Sequence, residues 1–244
     1  MGSSYLISDL HLSEAQPQLV DAFFAFLDGE AKNADALYIL GDFFDAWIGD
    51  DDDSDFAYRI KAKLKAYSSS DTHCYFMHGN RDFLIGKQFS DETGFELLHE
   101  GTLAEIYGEH YLLMHGDSLC TDDTEYMQFR AMVRSPEWQQ QILALPLAQR
   151  RLMAQELRAK SKSMSAIKAE DIMDVNQIEV ERALLEKDSN ILIHGHTHRP
   201  NTHQFEKDGS ILTRYVLGDW GSKGWALRIT EESKEPLAMS WPID

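Results

Sequence analysis

Aspartate, asparagine and histidine side chains recur directly after short apolar runs along this chain of 244 residues. Five such places supply seven side chains that can bind a metal ion: Asp9, His11, Asp42, Asn80, His115, His196 and His198. Imidazole, carboxylate and amide oxygen together favour divalent ions such as Mn²⁺, Fe²⁺, Zn²⁺ or Mg²⁺. The residue types therefore predict a metal centre.

The number of these side chains indicates what the centre does. Seven donors are too many for one tetrahedral ion, whereas two ions roughly 3.5–4 Å apart, bridged by one carboxylate, form a site for in-line attack on phosphorus. Each piece alone is a weak signal, and a lone histidine more often packs in a core. His78 is expected to pack, and His194 is expected either to pack or to support the site from behind. The series of five predicts hydrolysis of a phosphate ester or anhydride.

The apolar runs have the length and composition of buried strands. They cover residues 5–7, 37–40, 75–77, 111–114, 191–193 and 215–217, and helical spacing marks residues 19–27 and 56–67 between them. This order predicts a layered α/β fold. Because the carboxyl ends of strands in such folds meet at one crevice, distant residues can converge there.

Residues from about 121 to 187 lack strand-like runs and are rich in helix-forming residues. We expect a helical insertion, broken into short helices at Pro136 and Pro146, within a single domain that spans residues 1–244. Between Arg130 and Lys168 it carries eight basic and two acidic residues. Two interpretations stay open, a solvated helix face and a surface that binds substrate phosphate.

Composition restricts partners and location. The net charge of −18 argues against general binding of nucleic acid. Two cysteines without metal-site spacing, an N-terminus without a basic leader, and no apolar run of about 20 residues predict a cytoplasmic protein. The acidic run at residues 50–53 lacks the pattern of a calcium loop and is expected to be solvated.

The five blocks resemble those of the calcineurin-like metallophosphoesterases. They read Asp9-Leu10-His11, Gly41-Asp42, Gly79-Asn80, His115-Gly116-Asp117 and Gly195-His196-Thr197-His198, in that order. The resemblance implies a two-sheet sandwich flanked by helices, with the helical insertion lying over the active site.

A narrower resemblance rests on Arg81, which stands where the superfamily usually has histidine after Gly-Asn. With the neighbouring motifs, from about Tyr5 to Trp225, the chain is similar to the UDP-2,3-diacylglucosamine diphosphatase family of the bacterial lipid A pathway. That resemblance implies two ions, usually Mn²⁺, and hydrolysis of UDP-2,3-diacylglucosamine to UMP and 2,3-diacylglucosamine 1-phosphate. The alternatives are a phosphoesterase for another nucleotide diphosphate or phosphodiester, and a scaffold without catalysis.

The resemblance also implies a role for individual residues. One ion would lie on Asp9, His11, Asp42 and His198, and the other on Asp42, Asn80, His115 and His196. Asn80 and Arg81 would act in catalysis, and the substrate contacts would be Asn80, Arg81, Asp123, Ser161, Ser165, Lys168 and His196. A diacyl substrate further implies reversible contact with the cytoplasmic face of the inner membrane, while no protein partner is predicted.

Overall fold

The computed structural model describes residues 2–165 and 174–243, which form eleven strands and seven α-helices. The strands are β1 (Ser3–Ile7), β2 (Ala36–Leu40), β3 (His73–Met77), β4 (Glu96–Leu98), β5 (Thr102–Ile106), β6 (Glu109–Leu113), β7 (Ile191–His194), β8 (Asn201–Lys207), β9 (Ser210–Val216), β10 (Lys223–Thr230) and β11 (Leu237–Pro242). The helices are α1 (Pro17–Asp28), α2 (Asp55–Ser68), α3 (Lys87–Thr93), α4 (Thr124–Val133), α5 (Pro136–Leu143), α6 (Leu147–Ser165) and α7 (Gln177–Glu186).

The strands form two mixed sheets. The first has the order β11-β10-β1-β2-β3-β4, and the second has the order β5-β6-β7-β9-β8. Strands β1 to β4 are parallel, as are β6, β7 and β9, while the outer strands β11, β5 and β8 pair antiparallel. The parallel strands of each sheet therefore end on the same side as one another, which brings the loops that follow them together.

The sheets pack face to face. Leu6 and Leu40 from the first sheet share one buried cluster with Tyr111, Leu113 and Ile193 from the second. Neighbouring strand residues face outward and are buried by helices. Since both faces of the central strands are covered, their sequences are apolar without alternation.

Helices cover both outer faces. Phe23 on α1, Ile60 on α2 and Phe89 on α3 are fully buried in the cluster on the outer face of the first sheet. Val180 and Leu184 on α7 pack against the second sheet. The predicted two-sheet α/β sandwich flanked by helices is confirmed.

The predicted elements correspond closely to those observed. The six apolar runs lie in β1, β2, β3, β6, β7 and β9, and the runs at β6 and β9 each end one residue beyond the strand. The two helical stretches lie in α1 and α2. The sequence reading missed α3 and the strands β4, β5, β8, β10 and β11. Apart from β10, these strands are short or have several exposed residues, so their apolar signal is weak.

Four helices, α4 to α7, lie between β6 and β7. Pro136 is the first residue of α5, where its missing N–H costs nothing, and Pro146 immediately precedes α6. Helix α6, with 19 residues, is longer than the short helices expected there. Among the described residues, no helix is both long and apolar enough to cross a membrane.

Candidate functional site

The seven candidate metal ligands all follow strand ends. Asp9 and His11 follow β1, Asp42 follows β2, and Asn80 follows β3. From the second sheet, His115 follows β6, while His196 and His198 follow β7. The two sheets thus deliver their loops to one place, as the sequence predicted.

The backbone is strained at this place. A left-handed conformation costs a residue with a side chain roughly 1–3 kcal/mol, and such residues cluster at functional sites. Five of the seven candidate ligands adopt it: Asp9 (φ 56°), His11 (φ 51°), Asp42 (φ 51°), His196 (φ 67°) and His198 (φ 56°). The fold therefore holds these side chains in directions that a relaxed loop would not give them.

The first group of ligand atoms comprises Asp9, His11 and His198, whose atoms lie within 4.8 Å of one another. His198 Nε2 is 3.4 Å from Asp9 Oδ1 and 3.2 Å from His11 Nε2. The first oxygen of a fully buried carboxylate thus faces two imidazole nitrogens.

The second group joins Asp9, Asp42 and His115. Asp42 Oδ1 is 3.6 Å from His115 Nε2, whereas Asp42 Oδ2 is 4.0 Å from His11 Nδ1. The two oxygens of one buried carboxylate therefore face the two groups, which is the arrangement that a bridging ligand requires.

Asn80 completes the second group. Its side-chain oxygen is 3.1 Å from His115 Nε2 and 2.9 Å from His196 Nδ1. An amide oxygen with two imidazole nitrogens around it is a suitable donor set for a divalent ion.

Unsatisfied atoms show that these residues fit metal ions. Within residues 2–165 and 174–243, the buried atoms Asp9 Oδ1 and His11 Nδ1 have no hydrogen-bond partner. A buried polar atom without a partner is costly, and a cation would satisfy both. The two groups of donor atoms therefore fit divalent cations.

The pKa values of the histidines reflect their surroundings. Burial lowers the pKa of His11 and of His196 to about 4, so both rings are neutral at pH 7 and keep a lone pair for a metal ion. Burial also lowers the pKa of His115, but the carboxylates of Asp42 and Asp117 outweigh it and raise that pKa to about 9. The two carboxylates therefore favour a positive charge at this position. A proton on His115 supplies that charge here, and a divalent cation would supply it equally well.

Asp82 fixes two of these loops relative to each other. Its carboxylate accepts hydrogen bonds of 2.7 Å from the backbone N–H of Phe43 and from that of Gly79. Gly79 is required because a Cβ at this position would lie 2.1 Å from the backbone nitrogen of Asp42. The two loops that present Asp42 and Asn80 are therefore fixed in close contact.

Arg81 lies at the edge of the ligand cluster. Its Nε is 3.2 Å from Asp42 Oδ2, and its NH1 donates a 2.8 Å hydrogen bond to Asp45 Oδ1. Arg158 on α6 donates to the same Asp45 oxygen at 3.0 Å. A guanidinium from the core and one from the insertion helices thus meet at one carboxylate.

A cavity of about 920 Å³ opens beside the ligands. Asp42, Asn80 and His196 lie in its wall, together with Arg81 and Arg158. Much of the remaining wall is apolar and comes from the core and from α4 to α6, namely Trp47, Ile48, Phe83, Leu84, Phe129, Trp138, Ile142, Met153 and Leu157. The insertion helices therefore form one side of a pocket whose other side is the candidate metal centre.

The predicted substrate contacts fall only partly within the described residues. Asp123 and Ser161 lie in the cavity wall, and Asp123 also accepts a 3.0 Å hydrogen bond from Tyr126 N at the start of α4. The backbone of Ser165 is the last described position of α6, and its side chain is outside the description. Lys168 lies outside the described residues altogether.

The acidic run at residues 50–53 is not simply solvated, which corrects the expectation from the sequence. Arg150 donates hydrogen bonds of 2.7 and 2.5 Å to the two oxygens of Asp51, and Arg151 pairs with Asp52 and Asp53. The run therefore binds α6 to the core. Two arginines of the basic segment, Arg150 and Arg151, serve this contact rather than forming a solvated helix face.

Asp117 attaches α4 in a similar way. Its buried carboxylate accepts a 2.6 Å hydrogen bond from Tyr126 OH and a 2.8 Å hydrogen bond from Arg130 Nε. Arg134 donates a 2.9 Å hydrogen bond to the carbonyl oxygen of Gly79. Helix α4 is thus fixed directly beside the loop that carries Asn80.

The sequence reading missed residues that support the ligands. Asp219 Oδ2 is 3.6 Å from His198 Nδ1, and it follows β9 in the pattern of an apolar run and then Gly-Asp that also marks Asp42. That signal was present in the sequence. For Asp45 there was no such signal, because its partners Arg81 and Arg158 are 36 and 113 residues away.

His194 accepts a hydrogen bond from Arg214 at 3.2 Å and donates one to Gly195 O at 2.8 Å, so it supports the following loop rather than merely packing.

Comparisons with known proteins agree with this geometry. The family model for calcineurin-like phosphoesterases matches residues 4–200. A UDP-2,3-diacylglucosamine hydrolase from Cellvibrio japonicus (strain Ueda107) is 50% identical over 242 residues, which are 99% of this chain and 100% of that protein. Proteins of the same name from Chromohalobacter salexigens and Escherichia coli O6:H1 are 49% and 47% identical, each over 96% of this chain and 96% and 97% of their own length.

Proposed function

The chain belongs to the calcineurin-like phosphoesterase family, and we propose that it hydrolyses the diphosphate of UDP-2,3-diacylglucosamine to UMP and 2,3-diacylglucosamine 1-phosphate in lipid A biosynthesis. The observation that carries this proposal is the cavity, which joins a candidate two-metal centre to an apolar wall. A substrate with a diphosphate at one end and two acyl chains at the other matches both parts. The names of the full-length relatives support the same substrate.

The donor groups suggest how two ions are held. We assign one ion to Asp9, His11, Asp42 and His198, and the other to Asp42, Asn80, His115 and His196, with Asp42 between them. The opposite directions of the two Asp42 oxygens support this division. Two divalent ions, which we take to be Mn²⁺, would lower the pKa of a bound water and neutralise charge on the attacked phosphate.

Arg81 binds the phosphate oxygens that do not react. Its planar guanidinium can donate two parallel hydrogen bonds, which stabilises charge that develops on the phosphate. A guanidinium supplies charge and hydrogen bonds but is not a general acid, so Arg81 does not protonate the leaving group. A phosphate leaving group needs little protonation, which makes arginine acceptable where the superfamily usually has histidine. Asn80 contributes to catalysis by presenting its side-chain oxygen between His115 and His196.

The remaining substrate contacts follow from the same resemblance. We assign them to Asp123, Ser161, Ser165, Lys168 and His196, of which Asp123, Ser161 and His196 lie in the cavity wall. The side chains of Met153 and Leu157 lie in the same wall and offer apolar contact to acyl chains. Residues 1–244 form one domain, whose helical insertion lies over the active site.

The insertion helices also suggest how the protein reaches a lipid. Met132, Leu143 and Leu152, on α4, α5 and α6, are 49%, 42% and 60% exposed. Large apolar side chains on the surface of a helical segment favour reversible contact with a bilayer. We therefore place the protein on the cytoplasmic face of the inner membrane, held there transiently.

The test is an assay of the purified chain with Mn²⁺ on two substrates in parallel. One is UDP-2,3-diacylglucosamine in detergent micelles, and the other is bis(4-nitrophenyl) phosphate, a diester with neither uridine nor acyl chains. We expect release of UMP at a kcat/KM far above that for the diester. Turnover of the diester alone would overturn the substrate assignment and favour a phosphoesterase for other nucleotide diphosphates or diesters. Turnover of neither would overturn the enzyme assignment.

A further inference from the structure

Arg158 comes from a helix of the insertion, yet its charged group lies beside the candidate catalytic arginine. Asp45 Oδ1 accepts hydrogen bonds from Arg81 NH1 at 2.8 Å and from Arg158 NH2 at 3.0 Å. Arg158 Nε is also 3.4 Å from the second oxygen of Asp45. One carboxylate therefore holds two guanidinium groups side by side.

The surroundings of Arg158 distinguish it from Arg151, which lies on the same helix. Arg158 lies in the wall of the cavity together with Arg81 and the candidate ligands. Arg151 is not among the lining residues and pairs instead with Asp52 and Asp53 outside the cavity. Both arginines join α6 to the core, but only Arg158 does so inside the pocket.

The local charges leave the arginine pair short of negative partners. Two guanidinium groups share Asp45, while the other carboxylate near Arg81 is Asp42, which the proposed function assigns to the metal ions. Within residues 2–165 and 174–243, neither guanidinium has a further ion-pair partner, while Asp123 and Glu125 lie elsewhere in the cavity wall. Guanidinium groups bind phosphate oxygens in pairs of parallel hydrogen bonds, so this place favours a phosphate.

A diphosphate ester has a second phosphate that can bind to Arg81 and Arg158. Hydrolysis adds one water molecule across the P–O–P bridge: a new P–O bond forms at the attacked phosphorus, and the bridging bond breaks. The bonding electron pair leaves with the other phosphate, which gains one negative charge, and the two protons of the water molecule pass to solvent. Metal ions on the candidate ligands would neutralise the attacked phosphate, so the departing phosphate would need a separate cation.

We propose that Arg158 is a substrate-binding residue that, with Arg81, holds the departing phosphate of a diphosphate ester, and that Asp45 positions the two guanidinium groups for it. The proposal rests on the proposed function for the position of the metal-bound phosphate. The insertion then contributes a positive charge to the reaction as well as apolar contacts to the substrate. A substrate with a single phosphate gains nothing from this second site.

The experiment compares Arg158→Ala and Arg158→Lys with the matched variant Arg151→Ala in the Mn²⁺-loaded protein. Hydrolysis of bis(4-nitrophenyl) phosphate gives the signal, and UDP-N-acetylglucosamine and UMP serve as competitive inhibitors that carry two phosphates and one. A hydrogen bond to a charged group contributes about 1.5–3 kcal/mol, so Arg158→Ala should weaken inhibition by UDP-N-acetylglucosamine about 10- to 100-fold. Inhibition by UMP should change less than about 2-fold, and Arg158→Lys should recover part of the loss.

The same variants on UDP-2,3-diacylglucosamine should lose kcat/KM, while Arg151→Ala keeps both activities. The inference is wrong if Arg158→Ala matches Arg151→Ala, if it weakens UMP and UDP-N-acetylglucosamine equally, or if UDP-N-acetylglucosamine does not inhibit the parent protein. Because these inhibition constants do not require turnover of the lipid, they are measured even when the substrate assignment fails. Failure of the proposed function alone appears as absent lipid turnover with the Arg158 effect on inhibition intact.

Discussion

The loops of the metal centre and the helices of the insertion are built in different ways. The candidate ligands stand on strand ends of two packed sheets, and Asp9, Asp42 and His115 are buried. In the insertion, Val133 is the only buried residue of α4, and α5 has none. Ion pairs to Asp45, Asp51 and Asp117 hold α4 and α6 to the core, whereas α7 packs Val180 and Leu184 against the second sheet. The first region has a fixed geometry, whereas the second has an interface that is more easily altered.

This difference suggests a division of labour. Metal chemistry depends on ligand positions to within fractions of an ångström, and a packed sandwich core supplies that precision. Substrate choice depends on the shape and charge of a pocket wall, which an insertion between two strands can change without disturbing the core. Substitutions in the first region should therefore abolish turnover of every substrate, and those in the second should act on the lipid substrate selectively.

Asp42→Ala should have the largest effect. Because both Asp42 oxygens face candidate ligands, its loss disturbs both ions, and several kcal/mol of transition-state stabilisation correspond to a fall in kcat on the order of 10³-fold or more. The fall should be as large for bis(4-nitrophenyl) phosphate as for the lipid. Asp28→Ala, at a carboxylate 70% exposed and paired with Lys63, is the control and should be unchanged. A fall in kcat on the lipid substrate alone would contradict the proposed difference between the metal centre and the insertion.

Arg81→Ala should follow, with kcat lower by about 10²–10³-fold, as for removal of a donor to a developing charge. Arg81→Lys should recover only part, because the paired hydrogen bonds are lost. Metal content is measured for each variant, so that a displaced Asn80 is not mistaken for lost catalysis. If Arg81→Ala kept the parental kcat/KM on the lipid substrate, Arg81 would be a structural residue.

Arg150→Ala should destabilise the attachment of α6. The Arg150 side chain is 3% exposed and donates to Asp51 and to the carbonyl oxygens of Ile48 and Leu145, so truncation leaves buried acceptors unsatisfied. A loss of about 1–3 kcal/mol lowers the melting temperature by several degrees at roughly 2–4 °C per kcal/mol. Arg151→Ala removes exposed ion pairs and should shift it by less than about 1 °C. Equal shifts in calorimetry would show that burial does not distinguish the two arginines.

Lys168→Ala should have the smallest effect. If its ammonium group contacts a phosphate or the sugar of the substrate, the variant raises KM for the lipid substrate about 3- to 10-fold, as expected for the loss of one charged contact. Its kcat and metal content should be unchanged. Steady-state kinetics with detergent micelles measure both constants, and an unaltered KM would show that Lys168 does not bind the substrate.

The sequence was informative where local signals and chemistry coincide. A buried strand is recognisable from three or four residues, and a metal ligand directly after it needs no long-range information. That rule found all seven candidate ligands, and applied once more to Tyr215-Val216-Leu217-Gly218-Asp219 it would have found Asp219. The left-handed backbone at Asp9 and Asp42 could not be seen, because it arises from the contact between their loops.

Other features depend on pairs that periodicity cannot reveal. Asp51 and Arg150 are 99 residues apart, and each alone looks like a solvated surface charge. The strands β8 and β11 at the sheet edges have several exposed positions, and β11 ends in Pro242, so neither resembles the apolar runs of the centre. The helical nature of the insertion was predictable from composition, but its contacts to the core were not.

The most direct test of the two-ion centre is a titration of metal-free protein with Mn²⁺, in which bound metal per chain and turnover of UDP-2,3-diacylglucosamine are measured on the same samples. A binuclear centre requires that turnover is absent after chelation, is restored by Mn²⁺, and reaches full activity only when about two ions are bound per chain. Full activity in metal-free protein, or at one ion per chain, would contradict it.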